Sequence, residues 1–400
     1  MNRNRKLRMG MVGGGVEAFI GAVHRKAATL DGECELVCGA FSSTPERSKA
    51  SGEALYLPPE RVYGSYEEMI TCEKELPAGE RMDFMSIVTP NFLHFPPAKM
   101  ALENGFPVMC EKPMTYTFDE AKELEALVKK TGLLFGITYN YTGYPLVKEA
   151  RDMVMSGKLG KIRKIVVEYP QGWLATKLED TGQKQASWRG DPKQAGIANC
   201  MGDIGTHAEN LSEYITGLNI TELCSDLTIF VEGRDLEDDG NVLLRFDNGA
   251  RGILFASQIA VGEENALRIR IWGEKGGLEW AQQEPNTLIA KWLDRPAEIM
   301  RTSCGYLSER AQLNTRLPAG HPEAFIEAFA NVYRNYIMTL KSVMDGEEPK
   351  PEHLDFPSIK EGVRGMAFIK TVVEANTSDK KWTKFKSEAG GWEVDGRFKL

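Results

Sequence analysis

The sequence predicts a doubly wound α/β domain with a parallel sheet, followed by a strand-rich α+β domain. Three observations predict it. An apolar strand breaks into three glycines ahead of a helix. Strands and helices then alternate to about residue 140, and beyond about residue 145 the alternation gives way to apolar runs separated by turns. The expected boundaries are 1–140 and 141–400, with a C-terminal helix packing back on the first domain.

The first strand, Leu7 to Val12, runs into Gly13-Gly14-Gly15, and Ala18 to Leu30 reads as a helix. Strand, glycine turn and helix N-terminus together suit a dinucleotide pyrophosphate: the backbone can approach where no Cβ intervenes, and helix N–H groups face the anion. Gly13 and Gly15 take the first two positions of such a Rossmann fingerprint. The third is irregular, since Ala18 stands at the usual spacing and Phe19-Ile20-Gly21 implies a longer turn. Strands follow at Cys34–Phe41, Asp83–Val88, Pro107–Cys110 and Leu133–Ile137, with helices at Pro45–Glu53, Phe95–Asn104 and Phe118–Thr131. Ligands bind such sheets at the carboxyl ends of the strands. Those ends carry Gly13, Ser42, Thr89, Asn91, Glu111, Lys112 and Asn140. The tip of the second strand has no Asp or Glu to bond a ribose hydroxyl. Ser42, Ser43 and Arg47 suit a 2′-phosphate instead, so the cofactor is NAD or NADP with NADP favoured.

In the second half, runs at Ile162–Tyr169, Asn241–Phe246, Gly252–Ala256, Leu267–Trp272 and Glu274–Trp280 read as strands, with Asp247-Asn248-Gly249 as a hairpin turn. Six methionines between Met69 and Met114 read as core.

Composition limits the function classes. A net charge of −8 and a pI near 5.5 argue against nucleic acid as the main partner. Seven scattered cysteines, without a Cys-x-x-Cys pair, disfavour a disulfide framework or a zinc site, so no metal is expected. A basic N-terminus (Arg3, Arg5, Lys6, Arg8) precedes only a short apolar strand, unlike a signal peptide, and no window reaches membrane-span length. The expected location is the cytoplasm.

Four motifs in order carry a family resemblance: the glycine turn with Ile20-Gly21-Ala22-Val23-His24, Thr89-Pro90-Asn91 with His94, Glu111-Lys112-Pro113, and Gly196 to His207 with Asp203-Ile204-Gly205-Thr206-His207. The chain thereby resembles the glucose-fructose oxidoreductase/inositol dehydrogenase (Gfo/Idh/MocA) family. The resemblance implies a second domain built on a large, open, mostly antiparallel sheet that forms one wall of the active site and assembles homodimers or homotetramers. It also implies a carbohydrate or cyclitol substrate, and a Trp-Arg pair, here Trp188-Arg189, near nicotinamide and substrate.

The chemistry then has named carriers. Asp203 and His207, four apart in a segment that can be helical, share a face. His207 suits a general base/acid for a secondary alcohol, Asp203 would bond a hydroxyl and orient the imidazole, and Lys112 would stabilise the alkoxide. The expected cofactor contacts are Gly13, Gly15, Phe19, Ile20, Ser42, Ser43, Arg47, Thr89, Pro90, Asn91, His94, Glu111, Lys112, Asn140, Trp188 and Arg189. Substrate contacts are Lys112, Tyr141, Trp173, Arg189, Asp203, His207 and His321, with Tyr144 at the mouth and the loop from Trp173 to Gly196 setting specificity. His321 opens a helix running to about Met344, His24 reads as structural, and His353 as solvated. Two other readings stand beside the dehydrogenase: a redox-neutral glycoside hydrolase or lyase that oxidises its substrate transiently, and a non-catalytic dinucleotide-binding sensor.

Overall fold

The computed structural model describes residues 5–16, 18–182 and 184–386, which form two compact units. Among the described residues, the first comprises the chain to Asn140 together with Phe329–Val363; the second comprises Tyr141–Ala328 and Arg364 with the residues that follow it. Arg3 of the basic N-terminus lies outside the described residues, whereas Arg5 pairs with Asp83 at 2.7 Å.

The first unit runs β1 (Leu7–Gly13), α1 (Phe19–Thr29), β2 (Cys34–Ala40), α2 (Pro45–Ala54), α3 (Tyr66–Glu75), β3 (Phe84–Val88), α4 (Phe95–Glu103), β4 (Val108–Cys110), α5 (Phe118–Thr131) and β5 (Phe135–Ile137). Its five strands are all parallel, in the order β2-β1-β3-β4-β5. Every residue of β3 is buried, as a strand covered on both faces requires. Helix α5 has the bounds the sequence predicts because both ends are specified. Thr117 and Glu120 form a capping box, and Gly132 ends the helix at φ +72°. Five of the six methionines between Met69 and Met114 are fully buried.

The second unit begins with α6 (Pro145–Met155), β6 (Lys164–Pro170), the short helices α7 (Lys184–Arg189) and α8 (Pro192–Ala195), and α9 (Thr206–Thr216). Strands β7 (Ile220–Thr228), β8 (Asp239–Phe246), β9 (Arg251–Ser257), β10 (Arg268–Trp272), β11 (Gly276–Ala281), β12 (Thr287–Trp292) and β13 (Glu298–Arg301) follow. With β14 (Thr383–Lys384) they form a nine-stranded sheet ordered β13-β12-β11-β10-β6-β9-β8-β7-β14. Only the β6–β9 pairing is parallel. The turn at Asp247-Asn248-Gly249 joins β8 to β9, with Gly249 at φ +91°. Along β8, Val242, Leu244 and Phe246 are buried while Asn241 and Leu243 face outward, so one face of the sheet is covered and the other is open.

After α10 (Glu309–Gln312), α11 (Phe325–Asp345) and α12 (Ile359–Asn376) complete the chain's helices as described. The helix expected to open at Gly320 starts at Phe325, because Gly320 sits at φ +90° and the buried Glu323 carboxylate turns back onto the N–H groups of Arg316 and Leu317. Among the described residues, no helix is long and apolar enough to cross a membrane.

Candidate active site

In the first unit, the glycine turn closes the end of β1. Gly13 and Gly14 adopt φ +78° and +67°, and a Cβ on Gly13 would lie 2.8 Å from Thr89 Cγ2. The third fingerprint role falls to Gly21, two residues into the body of α1: a Cβ there would lie 2.4 Å from the Gly14 backbone. The longer turn thus keeps the close helix–turn packing by moving the glycine. Phe19, Ser43 and Arg47 are exposed around this end of the sheet and Ile20 and Ser42 are half-buried, an arrangement that fits a dinucleotide with its pyrophosphate at the N-terminus of α1.

Thr89-Pro90-Asn91 and Glu111-Lys112-Pro113 end β3 and β4, of which β3 adjoins the point where the order reverses and β4 pairs with β3. The Lys112–Pro113 bond is cis. His94 joins the two segments: its ring nitrogens lie 2.9 Å from Pro113 O and 2.8 Å from Thr89 O. Burial lowers its pKa more than those carbonyls and the Glu111 charge raise it. Glu111 is buried as well. Its Oε1 accepts from His24 Nε2 at 2.9 Å and Thr138 Oγ1 at 2.6 Å, and its Oε2 accepts from the Lys112 N–H at 3.0 Å. Burial alone would raise its pKa. The His24 hydrogen bond and charge, with Lys112 and Thr138, outweigh it and hold the carboxyl at about 2. Asn140 is buried just beyond β5.

In the second unit, Asp203 sits in a π-helical turn, Met201–Gly205, that leads into α9, and His207 stands at the start of that helix. Such wide turns recur at functional sites. The Asp203 carboxylate is clamped: Arg189 Nε lies 3.1 Å from Oδ2, Arg189 Nη2 donates to Oδ1 at 3.3 Å, and Gln258 Nε2 donates to Oδ2 at 2.9 Å. The Arg189 guanidinium lies over Trp188 at 4.4 Å and Trp173 at 5.9 Å.

A polar chain leads from there to the histidine. Trp173 Nε1 donates to Gln171 Oε1 at 2.9 Å, Gln171 Nε2 to Asn265 Oδ1 at 2.6 Å, and Asn265 Nδ2 to Tyr141 Oη at 3.1 Å. Tyr169 Oη donates to the same Asn265 oxygen, and the two tyrosine hydroxyls are hydrogen-bonded. The Tyr141 ring meets the buried His207 ring edge-on, centroids 4.8 Å apart.

Of the expected substrate contacts, the second unit therefore gathers Tyr141, Trp173, Arg189, Asp203 and His207. Lys112 belongs to the first unit, and Trp188 and Arg189 are the expected cofactor contacts that belong to the second. His321 is exposed in a turn with its ring against Pro318 O. Tyr144 is buried against Tyr141 and Trp280 and does not line an opening. His353 is half-buried, not solvated. Sequence reasoning missed Gln258, Asn265 and Tyr169. Gln258 directly follows β9, so the strand-end rule applied to the first sheet would have found it.

Two family models match in tandem. An oxidoreductase family with an NAD-binding Rossmann fold matches residues 7–139, and the GFO/IDH/MocA C-terminal domain matches residues 147–279. The uncharacterized oxidoreductase YfiI of Bacillus subtilis is 34% identical over 389 residues, 96% of this chain and 98% of its own. Crystal structures of an inositol dehydrogenase homolog from Azotobacter vinelandii, one complexed with NAD+ and one with NADH and myo-inositol, give TM-scores of 0.90 and 0.88 at 32% identity. They cover 96% of this chain and 100% and 98% of theirs. Levoglucosan dehydrogenase of Pseudarthrobacter phenanthrenivorans is 26% identical over 297 residues, 68% of this chain and 73% of its own. A relative matched over nearly its whole length, with the paired models in the expected order, makes this chain a member of the Gfo/Idh/MocA family of oxidoreductases, carrying an NAD-binding Rossmann domain.

Proposed function

We propose that the protein is an NAD(P)-dependent dehydrogenase that moves hydride between nicotinamide and a ring secondary hydroxyl of a sugar, glycoside or cyclitol. The first unit would bind the dinucleotide; the second would bind substrate and, through the open face of its sheet, form homodimers or homotetramers. The observation that carries the reading is the Arg189–Asp203–Gln258 clamp in the turn that leads to His207. A half-buried carboxylate bonded by a guanidinium and an amide serves substrate binding better than a surface helix pair would.

A bound nicotinamide would supply the hydride acceptor. His207 takes the hydroxyl proton as the C–H bond breaks, so the alcohol becomes a ketone and the imidazole an imidazolium. Lys112 offers positive charge to the developing alkoxide. Asp203, with its outer lone pairs, accepts from the reacting or a neighbouring hydroxyl. Its proposed role as an orienter of the imidazole is secondary to the fixed bonds it makes with Arg189 and Gln258. Trp173 offers an aromatic face to a sugar ring. Names of relatives support the substrate class: one is a levoglucosan dehydrogenase, another an inositol dehydrogenase homolog. The acid-free tip of β2, with Ser42, Ser43 and Arg47, supports acceptance of NADP.

The test is to follow reduced-nicotinamide absorbance with NAD+ and NADP+ over a panel of polyols and aryl glycosides. Steady coenzyme reduction supports the dehydrogenase; aglycone release without net reduction, or coenzyme binding with neither, overturns it. His207→Ala is expected to lower turnover roughly 10²–10⁴-fold. A loss below about tenfold in a folded variant would remove His207 from that role.

A further inference from the structure

The clamp around Asp203 is assembled from three separate stretches of chain, and each of them is tied to one loop, residues 234–238, between β7 and β8. Arg234, Glu237 and Asp238 are buried there. Glu237 holds the stretch that carries Asp203. Its Oε1 accepts from the N–H groups of Asn199 at 3.0 Å and Met201 at 2.9 Å, and its backbone oxygen accepts from Cys200 N at 3.2 Å. These N–H groups open the π-helical turn, where no preceding helical carbonyl can take them. Asp238 holds the second stretch, since its backbone oxygen accepts from Gln258 N at 2.9 Å. The Asp238 carboxylate fixes the loop itself, accepting from Phe230 N at 2.9 Å and from Val231 N and Arg234 Nη1 at 3.0 Å. Arg234 holds the third stretch. Its Nε donates to Glu179 Oε1 at 2.8 Å, and its Nη2 to Glu179 Oε2 at 3.3 Å and Thr176 O at 2.9 Å. Glu179 in turn packs on the residue that follows Arg189: a Cβ on Gly190 would lie 3.1 Å from Glu179 Cγ and Oε1.

We propose that this loop is the frame that positions the clamp, and that Arg234, through Glu179, is the positioning residue for Arg189. The proposal rests on the substrate-binding role given to Asp203 above. Arg234 acts at one remove, its partners being Glu179, Thr176 and Asp238. A fork of two N–H groups on one carboxylate fixes direction as well as distance. A site of this kind needs such support, because a charge that meets substrate loses its effect when its own carrier is loose. An ion pair that served stability alone could tie any two elements of the unit. Here three ties converge on the three members of one clamp.

Arg234→Met strands the buried Asp238, so Glu179→Ala, which leaves that pair intact, carries the test. Amide hydrogen exchange of the full-length protein is read by mass spectrometry. In Glu179→Ala, exchange over residues 186–195 is expected to rise about tenfold or more while α11 stays as wild type, because the lost bonds are local. Unchanged exchange over 186–195, or an equal rise over α11, overturns the proposal. With a polyol that the wild type oxidises, KM is expected to rise about tenfold and kcat to stay within about threefold, since His207 is untouched. In a double-mutant cycle, Glu179→Ala is expected to add less than about twofold to the effect of Arg189→Met on KM. Full additivity overturns the proposal, because the two residues would then act independently. If no polyol is oxidised, the dehydrogenase reading fails while the exchange comparison still decides the anchor, so the two failures are distinguishable.

Discussion

Glu111 and Glu237 are buried carboxyls, one in each unit, and their surroundings drive them in opposite directions. At Glu111, the bond and charge of His24 defeat desolvation. At Glu237, burial dominates and lifts the carboxyl to about 7, although the N–H groups of Met201 and Asn199 partly offset it. Those bonds, at 2.9 and 3.0 Å, tie Glu237 to the turn that carries Asp203. A raised folded-state pKa means a contribution to stability that is fully present below the unfolded value and lost as pH rises through about 7. Glu237→Gln keeps an oxygen for both N–H groups. Its melting temperature relative to wild type is therefore expected to improve between about pH 5 and about pH 8; a pH-independent difference would contradict this. Glu111 behaves conversely: its contribution is present above the unfolded carboxyl value and lost as pH falls through about 2.

At the same scale, Gln258→Leu removes one donor from the Asp203 clamp. Losing a hydrogen bond to a charged group is worth roughly 1.5–3 kcal/mol, so kcat/KM is expected to fall about 10- to 100-fold. Steady-state kinetics alongside thermal melting checks it; an unchanged kcat/KM would show that Asp203 needs only Arg189.

Among the elements, helix α1 depends on a glycine that stands outside the regular fingerprint. Adding a Cβ to Gly21 brings it to 2.4 Å from Gly14, backbone against backbone, so α1 must shift. Gly21→Ala is expected to destabilise by about 1–3 kcal/mol and to weaken dinucleotide binding, read by denaturant unfolding and by titration of coenzyme fluorescence. Wild-type stability in this variant would refute the packing argument.

Elements were legible where their ends or their period are local. The limits of α5 follow from Thr117, Glu120 and Gly132. A C-terminal helix was expected but the bounds of α12 were not read from the sequence, where Gly362 and Gly365 lower helix propensity. The reason for one of them is tertiary: a Cβ on Gly362 would lie 2.5 Å from Met114 Sδ. Strand β7 was missed too. Its Ile-Thr-Glu-Leu-Cys-Ser-Asp-Leu-Thr run is largely polar, and it is a strand because β8 and β14 pair with its two edges. Of the site, the glycine turn and the Lys112, Asp203 and His207 motifs were legible as short patterns. Gln258 stands at a strand end that a local rule can find, but its bond to a carboxylate 55 residues away was not legible.

For the whole molecule, the first unit is discontinuous in sequence. Tyr336 of α11 packs edge-on against Phe84 of β3 at 5.4 Å, Tyr333 bonds Ser86, and Pro357 O accepts from Ile137 N at 2.8 Å. A chain ending at Asn140 therefore lacks a side of its own core. It is expected to be a molten state that binds hydrophobic dye and lacks near-ultraviolet dichroism. A rigid near-ultraviolet spectrum from residues 1–140 would refute this.

By itself, the sequence determined the alternation of the first domain, the strand-rich character of the second, the glycine turn and the motifs that hold Lys112, Asp203 and His207. Each depends on residues a few positions apart, where backbone sterics and periodicity act directly. Only the tertiary structure decided that residues 329–363 complete the first unit, that Gly21 takes over the third fingerprint role, and that Asp203 is clamped by Arg189 and Gln258. It also decided that His24, which bonds Glu111, shares a hydrogen bond with Tyr333, 309 residues away. Burial and hydrogen-bond partnership are properties of neighbours in space, and no local pattern encodes which distant residue will satisfy a buried charge.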